Sequence, residues 1–126
     1  MRPHKKLNIW KEIMFAIDEV YKITSIFPKE EKYGIAMQMR RSAVSVASNV
    51  AEGCARYGKQ EKIRFFTISK SSLSELDAQI EISFRLGFIK DNEYNQMIDK
   101  LERISCMLQG LINSQKKAKL LSCANT

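Results

Sequence analysis

The sequence predicts an all-α fold, an antiparallel up-down-up-down four-helix bundle, and three observations carry that expectation. Apolar residues recur at three- to four-residue steps through four segments. No stretch alternates apolar and polar residues as a half-buried strand does. The breaks between segments, at Pro28, at Gly53 to Gly58 and at Gly87 to Lys90, are a few residues long, which suits antiparallel neighbours.

The first segment runs from Asn8 to Phe27. Ile9, Ile13, Ile17, Val20, Tyr21 and Phe27 mark its apolar stripe, with Lys11, Glu12, Asp18, Glu19 and Lys22 between them. Pro28 stops it, because proline has no amide hydrogen and its ring clashes with the preceding turn. The second helix is expected to begin between Lys29 and Lys32, where Glu30 and Glu31 suit the positive end of a helix. It continues through Ile35, Met39, Ala43, Val46 and Val50, with Gly53 as its expected end. Ser42, Ala43, Ser45, Ala47, Ser48 and Ala51 are small, which predicts close helix contacts within or between subunits.

Past the loop, Phe66, Ser69, Leu73, Leu76, Ile80, Phe84 and Gly87 fall near a seven-residue repeat. About thirty residues of helix fit there, roughly 40 Å at ~1.5 Å per residue, enough to make this helix the spine of the bundle. Gly87 suits the left-handed conformation that closes a helix. Asp91 is expected to cap the fourth helix by accepting an amide hydrogen from its first turn, with Glu93 favouring the same end. Tyr94, Met97, Ile98, Leu101, Ile104, Leu108, Leu111 and Ile112 form its stripe. The expected plan is an N-terminal tail over 1–7, the bundle over 8–113, and a basic, flexible tail over 114–126 that carries Lys116, Lys117 and Lys119.

A chain of 126 residues with 44% hydrophobic and 28% charged residues, five glycines and two prolines is sized and composed as one globular domain. Its apolar runs are too short to span a bilayer or to form a signal-peptide core, so a cytoplasmic protein with no membrane partner is expected. Cys54, Cys106 and Cys123 lack the paired short spacing of a zinc or redox motif, and His4 is the only histidine, so no metal, disulfide framework or cofactor is expected. Glu12, Asp18, Glu52, Glu75 and Asp77 are scattered, and no Glu-x-x-His pair exists for a carboxylate-bridged metal site. Ser69, Ser71, Ser72 and Ser74 lie within a helix, without a strand-to-turn nucleophile elbow. No catalytic residues are assigned, and the chain reads as non-enzymatic.

Two clusters remain as functional candidates. On the second helix, Gln38, Arg40, Arg41, Ser45, Ser48 or Asn49, and Glu52 form a polar stripe, which is open to three readings: a solvated face, a ligand-binding face, or a helix or subunit interface in whose pairing Arg41 and Glu52 take part. Serine and asparagine are mediocre helix formers, which favours some compensating contact. The second cluster is Arg56, Tyr57, Lys59, Lys62 and Arg64, four cations beside an aromatic ring across a loop and a helix start. A helix N-terminus offers free amides to a phosphate, and Tyr57 is placed to stack on a base. A solvated, merely solubilising loop is the alternative. The net charge of +7 attracts polyanions without specifying one.

The string Phe27-Pro28-x-x-Glu31-x-Tyr33-Gly34, followed by Gln38-Met39-Arg40-Arg41-Ser42 and Ser45-Val46-x-x-Asn49-Val50-Ala51-Glu52-Gly53-x-x-Arg56, resembles the four-helix bundle family encoded in intervening sequences of bacterial 23S ribosomal RNA genes. Glu61-x-x-x-Phe65, Ser72-Leu73-x-Glu75-Leu76 and, in the first helix, Trp10, Tyr21 and Thr24 fit the same pattern, so the likeness spans residues 7 to 112. Ser71 departs from it, standing where the family usually has glycine. The resemblance implies a homopentamer, and a distant similarity to the basic accessory proteins of diversity-generating retroelements, which bind nucleic acid and a reverse transcriptase. It brings no catalytic residues; Arg40, Arg41, Asn49, Glu52 and Arg56 are the positions it marks as structural or RNA-facing. The expected function is a homo-oligomer that binds RNA through Arg56, Lys59, Lys62 and Arg64. The alternative is an adaptor or assembly factor that docks a protein partner without touching nucleic acid.

Overall fold

The structure, a computed structural model, describes residues 3–124, with side chains for 3–4 and 7–117. It is the four-helix bundle the periodicity predicts: α1 (Asn8–Thr24), α2 (Ile35–Ala55), α3 (Lys59–Arg85) and α4 (Asp91–Ala124). Among the described residues every regular element is helical. The inward stripes meet in one core, in which Ile13, Val20, Met39, Val50, Leu76, Ile80, Leu101, Ile104 and Leu108 are almost wholly excluded from solvent. Each such side chain contributes roughly 1.5–3 kcal/mol of transfer free energy, so the register of every helix is held by its apolar face.

The helix ends differ from the sequence reading for local reasons. α1 stops at Thr24 rather than Phe27: the Thr24 hydroxyl donates to the Val20 carbonyl at 2.7 Å and the Ser25 hydroxyl to Lys22 at 2.7 Å, closing the last turn. Phe27 then turns inward and its ring packs on Phe88 in the α3–α4 connection, 5.4 Å between centroids. Lys29–Glu31 form a single 3-10 turn, and α2 starts only at Ile35, whose amide donates to the Glu31 carboxylate at 3.4 Å. At the fourth helix Asp91 is the first helical residue rather than its cap; the Glu93 carboxylate instead accepts the amide of Lys90 at 3.2 Å, half of a capping box. Gly87 behaves as expected: at φ 82° it closes α3, with its amide bonded to Phe84 and that of Phe88 to Ser83.

Gly53 is not a terminator. It lies inside α2, where a Cβ would stand 2.7 Å from the Phe66 ring and 3.3 Å from the Phe65 Cβ, so its missing side chain is what lets α2 and α3 approach. Serines complete this seam. Ser69 donates to the Val46 carbonyl at 2.7 Å, the Ser45 and Ser72 hydroxyls share a hydrogen bond of 2.7 Å, and Ser83 donates to the Met39 sulfur at 3.4 Å. The seam thus buries hydroxyls with their partners supplied.

The two tails also depart from the plan. Pro3–Lys6 form a 3-10 turn against α2, with the His4 ring tilted on Trp10 at 4.3 Å. α4 continues as helix to Ala124, so position 113 marks the end of its packed turns and not of the helix; Ile112 is the last buried residue described. Met1, Arg2, Asn125 and Thr126 of the two expected tails, and the Cys123 side chain, lie outside the described residues.

Across α1 and α4, Lys100 donates to Glu12 at 2.8 Å and Arg103 lies 3.6 Å from the same carboxylate. The Lys100 hydrogen bond, against some desolvation and helped by the charges of Lys100 and Arg103, holds the Glu12 carboxyl below its usual range. A depressed folded-state value stabilises the fold above the unfolded value of about 4.3 and is lost as pH falls through the folded one. Glu12→Gln should therefore flatten the acid limb of a urea-midpoint profile below about pH 4.5. The two helical glycines should respond with opposite signs in chemical denaturation. Gly110→Ala, with nothing within 4 Å of the new Cβ, should stabilise by about 0.5–1 kcal/mol. Gly53→Val should destabilise by about 1–3 kcal/mol as the Phe66 ring is forced aside.

Candidate nucleic-acid interface

Antiparallel alternation brings the start of α1, the end of α2, the start of α3 and the end of α4 to one pole of the bundle. The predicted basic cluster sits there. Arg56 leaves the end of α2 in an extended conformation, and Tyr57 on the following loop is fully exposed. Two guanidinium groups lie against the Phe65 ring, Arg56 at 4.9 Å and Arg64 at 5.3 Å from its centroid. Both arginines also meet carboxylates, Arg56 with Glu52 at 2.6 Å and Arg64 with Glu61 at 3.5 Å. These are exposed pairs worth little in stability.

Lys62 differs from its neighbours. Its ammonium donates to the carbonyls of Gly53 and Cys54 at 3.3 and 3.1 Å, so it caps the carboxyl end of α2 from the first turn of α3. Cys54, half-buried beneath it, has its thiol pushed up by burial, opposed by the Lys62 charge.

Sequence reading missed how much charge converges on this pole. The Lys70 ammonium donates to Gln109 at 2.5 Å, a register that runs residues 113–117 of α4 beside the first turns of α3, where Lys116 and Lys117 are exposed. The Pro3–Lys6 turn precedes α1 at the same end. Segments 3–6, 52–64 and 113–124 hold nine Lys and Arg against two carboxylates, whereas 7–51 and 65–112 hold eleven against twelve. The body is electrically balanced, and the excess charge belongs to one end. The lysine run of 116–119 was the available signal, misjudged because the apolar stripe stops before it.

The polar stripe of α2 divides in two. Arg40 ties α2 to the end of α1: its Nε donates to the Thr24 hydroxyl at 2.8 Å, a terminal nitrogen to the Tyr21 carbonyl at 3.4 Å, and its guanidinium covers the Tyr21 ring at 4.6 Å. Asn49 donates to the carbonyl and hydroxyl of Ser45 at 2.9 and 3.1 Å, and joins the serine seam. Gln38 and Arg41 are exposed. Glu52 pairs with Arg56 inside the subunit, and among the described residues Arg41 takes no ion pair. Arg41 lines a shallow groove of about 550 Å³ with Tyr21, Met37, Val44 and Ser48. Among the described residues no three His, Cys, Asp or Glu side chains converge as a metal site requires, and no helix is long and apolar enough to cross a membrane.

A helical bundle with one basic pole defines the class of protein at hand, and comparison with known proteins places it more closely. Residues 5–110 match the model of the family described as the 23S rRNA-intervening sequence protein, and the chain belongs to that family. Among solved structures, it is similar to a protein of unknown function from the S23 ribosomal protein family of Bacteroides thetaiotaomicron. The TM-score is 0.74 at 17% identity, covering 82% of this chain and 97% of that one. At that identity the likeness establishes the fold. No curated protein matches the chain.

The division of labour within the basic cluster is testable by thermal and urea unfolding. Lys62→Met should lose about 0.5–1.5 kcal/mol with the two carbonyl contacts, while Lys59→Met should leave stability unchanged within about 0.5 kcal/mol.

Proposed function

We propose that this protein is a non-enzymatic, cytoplasmic homo-oligomer that binds structured RNA through its basic pole. The observation that carries the reading is the segregation of charge: a balanced body with the cationic excess on segments 3–6, 52–64 and 113–124. Phosphate contacts of this kind grip a nucleic acid backbone and release counterions, with weak sequence preference. The exposed Tyr57 and the guanidinium groups of Arg56 and Arg64 add planar surfaces for unpaired bases. The family's association with 23S rRNA intervening sequences supports ribosomal RNA as the ligand. The resemblance noted in the sequence supports a homopentamer, in which repeated poles multiply phosphate contacts.

Binding of a structured rRNA fragment across a salt series tests this. Micromolar affinity at low salt is expected, and Arg56→Ala, Lys59→Ala and Arg64→Ala should each lower the log–log salt slope by about one. Absence of binding at low salt, or a slope indifferent to these substitutions and to Lys116→Ala with Lys117→Ala, would overturn it. A partner retained from the native host after nuclease treatment would point to the adaptor role.

A further inference from the structure

α2 and α3 are apolar on two faces. Their inward stripes fill the core, yet a second stripe on each points away from it. On α2, Met37, Arg41, Val44, Ser48, Ala51 and Ala55 follow one another at alternating four- and three-residue steps. On α3, Ile68, Ser71, Glu75, Ala78 and Ile82 do the same, and Leu86 extends the row just past the helix end. Val44, Ile68, Ile82 and Leu86 are 42%, 37%, 49% and 58% exposed. Spacing that averages 3.5 residues, with small residues between larger ones, is what a helix presents to another helix.

Each stripe carries one charge within its apolar and small residues, and the two are opposite: Arg41 on α2 and Glu75 on α3. Among the described residues neither takes an ion pair within the subunit. Their heights match. The Ser45–Ser72 hydrogen bond sets the register of the two helices; Arg41 lies four residues above Ser45 and Glu75 three above Ser72, about 6 and 4.5 Å at ~1.5 Å per residue. Copies related by rotation about an axis along the bundle therefore bring Arg41 of one to the level of Glu75 of the next.

We infer that the outer stripe of α2 docks against the outer stripe of α3 of a second copy of this chain, with Arg41 and Glu75 paired across the contact. The inference rests on the homo-oligomeric reading above and names its surface. Repeated head to tail about an axis along the bundle, α2 of each copy against α3 of the next, the contact gives a ring where the rotation closes. The basic poles then all point the same way along the ring axis.

Light scattering on the full chain at tens of micromolar tests it. Arg41→Glu and Glu75→Arg should each reduce the assembly to the 14.5 kDa monomer, with helix content by circular dichroism unchanged. The double exchange Arg41→Glu with Glu75→Arg should restore the assembly. Ala78→Arg, which crowds the α3 stripe without touching the pair, should also dissociate it and remains informative if a charge reversal impairs folding. Wild-type mass in both single variants, or failure of the double exchange to reassemble, overturns the pairing. A monomeric wild type overturns it together with the homo-oligomeric reading, whereas RNA binding is judged separately by the salt series.

Discussion

The close seam between α2 and α3 is the constraint on which the remainder of the molecule depends. Gly53 leaves out a side chain that would collide with the Phe66 ring, and Ser45, Ser69, Ser72 and Ser83 fill the remaining gap with hydroxyls that find partners across it. Bulkier residues there would push the helices apart, and buried hydroxyls without partners would each cost about 1–3 kcal/mol. Close approach also brings the first turn of α3 under the last carbonyls of α2, where Lys62 reaches them. The α2–α3 loop is thereby pinned at both ends, and Arg56 and Arg64 are both held against the Phe65 ring.

The same seam accounts for the surface. Small side chains on the mating faces of α2 and α3 leave both helices with apolar residues to spare, which appear on their outward faces as Val44, Ile68 and Ile82. The seam also fixes relative height along the bundle axis, so charges on different helices stand at defined levels. Packing inside the subunit and presentation outside it are thus one arrangement seen from two sides.

The inward stripes were legible in the sequence, because burial on a helix repeats every 3.6 residues whatever the neighbours are. Leu73, Leu76, Leu101 and Leu108 all lie in the core as the periodicity requires. Helix ends were less legible. Glycine serves equally as a terminator and as a point of close approach, and only the Phe66 ring, thirteen positions away, decides which role Gly53 has. Tyr21 read as part of the apolar stripe, yet it is 42% exposed, with Arg40 covering its ring from α2. The contacts of Arg40 and Lys62 were not legible, because their acceptors are mostly backbone carbonyls, which have no signature in the sequence. The basic cluster was found from residue types alone, but its extension to the end of α4 needed the register that Lys70 and Gln109 establish.

The alternation of helix directions bears on how the cationic pole behaves. Two helices begin there and two end there, so their peptide dipoles oppose one another and largely cancel. Whatever potential the pole projects comes from side-chain ammonium and guanidinium groups rather than from the backbone. Acetylating Lys59, Lys116 and Lys117 would take away three of the nine cations of that pole while leaving every residue of the buried core unaltered.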